Sequence, residues 1–252
     1  MAESSREIGK SQRRDDILGA ARALMREGGD PGFSMRTLAE RAGVSIATPY
    51  NLFGSKQAIL LGVLNADLVG YEQALSKLEA DAIDVLFESQ ALVSQLINRE
   101  PDFYRSMIAA VSRDGPEFRH MVSGPRYVLW KRLLGQATAA GLLADDIDPD
   151  AFAIATSQLM LANVLEWAKG ALTLEEMEAR NQYGLALSLL AVATDSSRAQ
   201  IRERFREAER TLQSQWRTAL AKRLRDGTLD EESREILADQ IKTLHKEQEA
   251  SS

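Results

Sequence analysis

Apolar residues recur every three or four positions along nearly the whole chain, and in no stretch do they alternate strictly with polar ones. A repeat of about 3.6 residues marks one face of an α-helix, whereas a half-buried strand repeats every second residue, so the chain is predicted to be all-α. Ala, Leu, Arg and Glu dominate and only six prolines interrupt 252 residues, which favours helix throughout. That length suits a small module joined to a larger one.

Punctuation places the helices. Ile17, Ala21, Leu24 and Met25 form the face of a first helix that stops at Gly28-Gly29. Ser34 caps a short second helix with Met35, Leu38, Ala39 and Ala42 on its face, closed by Gly43, and Ser45 caps a third that ends near Phe53. A long fourth carries Leu60, Leu64, Leu68, Tyr71, Leu75 and Leu78. The same reasoning gives helices near 82–98, 102–113 and 117–140, the last interrupted at Gly124-Pro125. Asp148 with Pro149 opens an eighth helix that runs to about Gly170. Thr173 with Glu176 is a capping box for a ninth, which starts at Leu174 and ends near Asp195. Beyond it the composition turns highly charged. A narrow stripe from Ile201 to Leu224 predicts one more packing helix, and Asp230 caps a last one.

The segment from Ser34 to Leu60 carries the functional signal. Two short helices meet across a tight turn at Gly43, and Ala39, Val44, Leu52 and Phe53 are available to pack them on the first helix. Such a unit can lay its second helix in a major groove. In this segment Thr37, Ala42-Gly43-Val44-Ser45, Tyr50, Phe53 and Ser55-Lys56 stand in the order and spacing of a known motif, and over residues 11–64 the sequence resembles the TetR/AcrR family of regulators. The resemblance implies a three-helix DNA-binding domain with a helix-turn-helix, followed by a larger helical ligand-binding and dimerisation domain. It also implies a phosphate-holding role for Thr37, Tyr50 and Lys56, which offer hydroxyl or ammonium donors. Ser45, Ala47, Thr48, Pro49 and Asn51 lie on or beside the implied recognition helix, where Asn can pair with adenine and Thr or Ala can touch a thymine methyl; Arg36 is the nearest guanidinium. Pro49 stands where the family has an aliphatic residue, so the helix is expected to start near Ala47 or to bend there. Arg6, Lys10, Arg13 and Arg14 read as a solvated tail, with a minor-groove arm as the alternative.

The expected organisation is therefore an N-terminal arm and helix-turn-helix domain at 1–58, a helical effector-binding and dimerisation domain at 59–195, and a charged helical extension at 196–252. A family-like body would gather Phe103, Tyr104, Met107, Phe118, Met121, Tyr127, Trp130 and Trp167 around a cavity for an apolar or aromatic small molecule, with Asn163 among the orienting polar groups. Aromatic and Met stripes at helical spacing are more often plain core, and that alternative stays open. Phe152, Leu159, Ala162 and Leu165 with Leu185, Leu189 and Val192 can pack a four-helix interface between two subunits, and a two-fold dimer would match a pseudo-palindromic operator. The expected partners are double-stranded operator DNA, a small-molecule effector and a second copy of the chain, with no membrane and no cofactor.

Regional charge agrees with this division. Residues 1–60 hold nine Lys/Arg against seven Asp/Glu, residues 61–195 ten against nineteen, and residues 196–252 twelve against eleven, so the acidity sits in the middle and would turn the head toward DNA. The absence of cysteine excludes disulfides and thiolate chemistry, and two distant histidines make a His-rich metal site unattractive. Asp145, Asp146, Asp148 and Asp150 could hold a hard cation, but helix capping at Pro149 explains them more simply. No GxSxG, HExxH or glycine-rich phosphate loop supports an enzyme, and a body that serves only for dimerisation or partner binding is the second alternative. The N-terminus has no signal-peptide pattern and the nearly apolar run Tyr183–Thr194 is too short to span a bilayer, so a cytoplasmic protein is expected.

Overall fold

The computed structural model describes residues 2–28, 33–113, 115–228 and 230–249. Among them the chain forms α1 (Ala2–Gly28), α2 (Met35–Arg41), α3 (Ala47–Phe53), α4 (Lys56–Leu75), α5 (Ala82–Arg99), α6 (Pro101–Arg113), α7 (Gly115–Ala139), α8 (Pro149–Ala168), α9 (Leu174–Val192), α10 (Asp195–Arg225), α11 (Glu231–Ile236) and α12 (Ala238–Glu249). No strand forms among the described residues; a lone antiparallel bridge, Leu143 to Ala193, ties the α7–α8 loop to the end of α9.

Side-chain caps open α2, α4, α5, α8 and α9. Asp81 accepts the N–H groups of Ile83 and Asp84 at 2.9 Å, and Asp148 accepts those of Asp150 and Ala151. At α9 the box is reciprocal: Thr173 Oγ1 accepts from Glu176 N at 3.1 Å, and Glu176 Oε2 accepts from Thr173 N at 2.7 Å.

Three boundaries differ from the sequence reading. Helix α1 begins at Ala2, so the basic residues read as a tail are helical, and Arg14 is tied down by packing described below. The stretch lacks an apolar stripe, but it is rich in helix-favouring side chains and extends a helix already packed further on. Helix α7 passes through Gly124-Pro125 without a break; α4, α5, α6 and α8 pack around it and hold its course despite the one backbone N–H that proline lacks. The last predicted helix is two, α11 and α12, parted at Leu237.

Two cores join in one body. The first locks the head to the frame: Ile17, Ala21 and Met25 of α1 and Leu38 of α2 pack with Ile59, Leu60 and Val63 of α4, and then with Phe103, Tyr104 and Met107 of α6, Trp167 and Met177. Phe103, Tyr104, Met107 and Trp167 are thus buried in the core at this junction. The side chains of Phe118 and Met121 lie outside the described residues. The second core joins α5, α7, α8, α9 and the start of α10 through Phe87, Trp130, Leu133, Met160, Leu185, Leu189 and Ile201.

Helix α9 lies centrally, with α5, α8 and α10 against it. Leu185, Leu189 and Val192, expected at a subunit interface, are consequently buried inside the chain's own core. Phe152 and Leu165 are half-buried, while Ala162 and Leu159 remain exposed on α8. The large apolar side chains that α8 and α9 leave outward are Ile154, Leu159 and Leu187. Closeness of the two helices is set at Gly184, where an added Cβ would come within 2.4 Å of Leu159 Cδ2.

Candidate nucleic-acid interface

The head is organised by its turns. Ser34 caps α2, accepting the Thr37 N–H at 3.0 Å while the two hydroxyls meet at 2.9 Å. After α2 the chain reverses at Gly43, whose φ of 65° lies in the left-handed region that a side chain disfavours. Val44 N then donates to Ala39 O at 3.0 Å and fixes the turn. Replacing Ser34 with Ala is expected to cost about 1 kcal/mol of stability, read as a lower urea midpoint with unchanged slope.

Helix α3 starts at Ala47, and its N-cap is Ile46 with no side-chain cap bond. Ser45 therefore does not cap it as expected; its hydroxyl meets Thr48 Oγ1 at 2.8 Å. Pro49 occupies the first turn of α3, where its missing N–H would have had no helical partner, so the helix neither bends nor breaks there. Its ring is buried, which removes Pro49 from the groups able to reach a base edge. The opposite side of α3 is open: Ala47, Tyr50 and Asn51 are exposed and Thr48 is half-buried.

Ile46 is the residue that the sequence reading missed. It is 54% exposed beside Ala47, a large apolar side chain on an otherwise polar face, suited to a thymine methyl. Its signal was a lone isoleucine between Ser45 and Ala47 at a position the turn must leave outward.

Polar side chains flank this face. Thr37 and Arg36 are exposed on α2, with Arg36 Nε 3.1 Å from Glu40 Oε1. Lys56 opens α4, its Nζ lying 4.6 Å from the centre of the Phe33 ring. From α1, Arg14 donates to Leu52 O at 2.7 Å and lies 4.3 Å from the Phe53 ring centre, so this arginine clamps the end of α3.

A second set of charges ties the head to the body. Arg22 of α1 donates through Nη1 to Asp67 of α4 and through Nε to Glu100 at the α5–α6 junction, both at 2.6 Å, and its guanidinium lies 4.3 Å from the Phe103 ring centre. Partial burial works against the Arg22 charge, but Asp67 and Glu100 together hold its pKa above the ordinary arginine value. Asp67 also accepts the Tyr104 hydroxyl at 2.8 Å; burial and then the Asp67 charge push Tyr104 well above the usual phenol range.

The remaining body residues singled out from sequence have structural partners. Trp130 is buried in the second core. The Tyr127 hydroxyl donates to Asp150, which also pairs with Lys131 at 2.6 Å, joining α7 to the start of α8. Asn163 donates to the buried Asn181 at 2.8 Å, across the α8–α9 contact.

Comparison with known proteins bears on the head first. Residues 17–63 match the family described as bacterial regulatory proteins, tetR family. The HTH-type transcriptional repressor KstR2 of Rhodococcus jostii is 25% identical over 151 residues, covering 56% of this chain and 72% of that protein. Among solved structures, Thermus thermophilus FadR in complex with lauroyl-CoA superposes with a TM-score of 0.60 at 22% identity, over 72% of this chain and 97% of that one. RolR in complex with resorcinol gives 0.56 at 21% identity, over 79% and 95%. These likenesses show a shared fold, in which a helix-turn-helix head precedes an all-helical body.

Proposed function

We propose that this chain, a TetR-family transcriptional regulator, acts as a homodimeric repressor that holds a pseudo-palindromic operator and releases it when a small molecule occupies the helical body. The observation that carries this reading is the head: α3 turns Pro49 inward and Ile46, Ala47, Tyr50 and Asn51 outward, between hydroxyl and ammonium groups suited to phosphate. On this reading Ile46, Ala47, Thr48 and Asn51 read base edges, while Thr37, Tyr50 and Lys56 fix the backbone, with Ser45 and Arg36 beside them. The family is one of regulators rather than enzymes.

The dimer of this proposal pairs α8 and α9 with their copies through Ile154, Leu159 and Leu187, which would otherwise stay in water. A two-fold arrangement then presents two α3 helices to successive major grooves. The protein would work in the cytoplasm, where its operator is.

Transmission would run through α4, about 30 Å long by its residue count. It starts beside the DNA at Lys56 and ends in the body core at Leu75. A ligand that prefers one tilt of α4 changes the separation of the two heads. FadR with lauroyl-CoA and RolR with resorcinol carry ligands of unlike charge, so the fold alone leaves the effector class of this chain open.

The test is a mobility-shift assay with DNA flanking the chain's own gene, repeated across a small-molecule library. Retarded complex lost on adding one compound is the expected result. Unchanged operator affinity with a compound proven to saturate the body would overturn the ligand-responsive half, and absence of sequence-specific binding would overturn the whole. Tyr50→Phe and Lys56→Ala should each weaken binding across all sequences. Only Lys56→Ala should also reduce the slope of log affinity against log salt, by about 0.9.

A further inference from the structure

Helix α9 starts at the head end of the body, and α10 returns to that end and passes it. Leu172, Leu174 and Met177 pack in the core that holds Ile17, Leu38 and Ile59 of the head, whereas Val192 and Ala193 lie in the second core. The chain reverses at Thr194 and the Tyr183 and Phe205 rings meet at 5.1 Å, so α10 runs antiparallel to α9. This register puts Leu174 opposite Ser214, and residues 215–225 continue beyond the end of α9, on the side of the head, for about 16 Å.

The face of α10 that α9 covers is carried on along this overhang, but there it is open. Ile201 and Ala208 are buried and Phe205 and Leu212 half-buried; further along the same face Trp216 is 44% exposed, and Ala219, Lys222 and Arg223 are exposed as well. The C-terminal segment does not close it, because Leu237 and Ile241 pack against Leu220 and Leu224 on another side of the helix.

Charge separates along the same helix. Its carboxylates, Asp195, Glu203, Glu207 and Glu209, all precede Arg210, and from Arg210 to Arg225 there are five Lys/Arg and no Asp/Glu. The near-neutral total of the extension thus hides a basic run. On the covered half Arg204 pairs with Asp84 and Arg198 donates to Ala193 O. Past α9, Lys222, Arg223 and Arg225 are exposed, and among the described residues no carboxylate pairs with them. Cations this close repel one another, and a polyanion relieves the repulsion.

We propose that the end of α10 is a second DNA contact, in which Lys222, Arg223 and Arg225 neutralise phosphates flanking the operator while Trp216 lies against the backbone and donates its indole N–H. This deepens the operator-binding reading above and rests on it. The body between the two basic ends is acidic, so it keeps its distance from DNA and leaves the contacts to the head and to this helix end. A membrane would ask for a broad apolar face, and this face offers one indole and one methyl group.

The test uses the full chain and two duplexes carrying the operator found by the mobility-shift assay, one trimmed to the pseudo-palindrome and one keeping its native flanks. The intact chain is expected to bind the flanked duplex more tightly than the trimmed one. Lys222→Gln combined with Arg223→Gln should lower the slope of log affinity against log salt by about 1.8 on the flanked duplex and leave it unchanged on the trimmed one. The charge-keeping pair Lys222→Arg with Arg223→Lys should retain the full slope, and all variants should melt as the intact chain does, since these side chains are exposed. Equal slopes for the intact chain and the double glutamine variant on the flanked duplex would overturn the inference. So would a change in the sedimenting mass of the DNA-free chain in that variant, which would give the face to a second copy. A mixed-sequence duplex separates the two claims. Sequence-specific binding with no slope difference sinks the α10 contact alone, whereas a slope difference on mixed sequence without operator preference keeps the contact and sinks the operator reading.

Discussion

Arg22→Met is expected to lower the stability of the chain by about 2 to 4 kcal/mol, because it removes the one cation shared by two carboxylates that are largely withdrawn from water. The side chains of Asp67 and Glu100 are 14% and 23% exposed, and both lie 2.6 Å from the same guanidinium. Without it they face each other across the space it filled. Asp67 keeps the Tyr104 hydroxyl and Glu100 keeps Arg26, so the loss is less than that of a wholly stranded pair. Methionine preserves a flexible apolar stem over Phe103, which confines the change to charge and hydrogen bonding. The melting temperature should fall by about 5 to 15 °C for a chain of this size. Arg26→Met is the control: that side chain is 55% exposed and makes one contact to Glu100, so its loss should stay under about 1 kcal/mol. Equal losses in the two variants would show that Arg22 is only a surface ion pair. Because Arg22 belongs to the helix that clamps α3 while its partners belong to α4 and the α5–α6 junction, operator affinity in Arg22→Met should also respond less to effector.

What could be read from the sequence depended on whether the cause was local. Ser34 with Thr37, Asp148 with Pro149 and Thr173 with Glu176 act within one turn, and each helix start they announce is present. The helix-turn-helix was legible for the same reason, since Gly43 and the short apolar faces beside it are neighbours in sequence. Periodicity says that a face is apolar but not what it meets. Phe103, Met107 and Trp167 therefore read as core or as cavity walls, with core the commoner outcome for such stripes, and all three are buried at the head-to-body junction. Leu185 and Leu189 likewise read as interface until α10 is seen against α9. The Arg22–Asp67–Glu100 tie spans 45 and 78 residues, and no spacing rule reaches across such separations.

Ending the chain after Ala193 is expected to abolish cooperative unfolding, whereas ending it after Gly227 should leave the transition nearly in place. The first half of α10 is part of the body core. Ile201 is fully buried, Ala208 nearly so, and the Phe205 ring lies 5.1 Å from that of Tyr183. Arg204 pairs with Asp84 at 2.7 Å and Gln200 donates to Asp81 at 2.7 Å, fastening α10 to the start of α5. Losing the isoleucine and phenylalanine alone forfeits about 5 kcal/mol, before the newly wetted surface of α9 is counted. Domains of ordinary stability hold only about 5 to 15 kcal/mol in all. Past Gly227 the described residues contribute one small cluster, Leu237 and Ile241 against Leu220 and Leu224, so that shorter cut should cost about 2 kcal/mol or less. Thermal unfolding followed by far-ultraviolet circular dichroism reads both. A sigmoidal transition at the full-length midpoint in the chain ending at Ala193 would make α10 an appendage. Its absence would mean that this charged helix, although it reads in sequence as a separate extension, is what closes the body around α9.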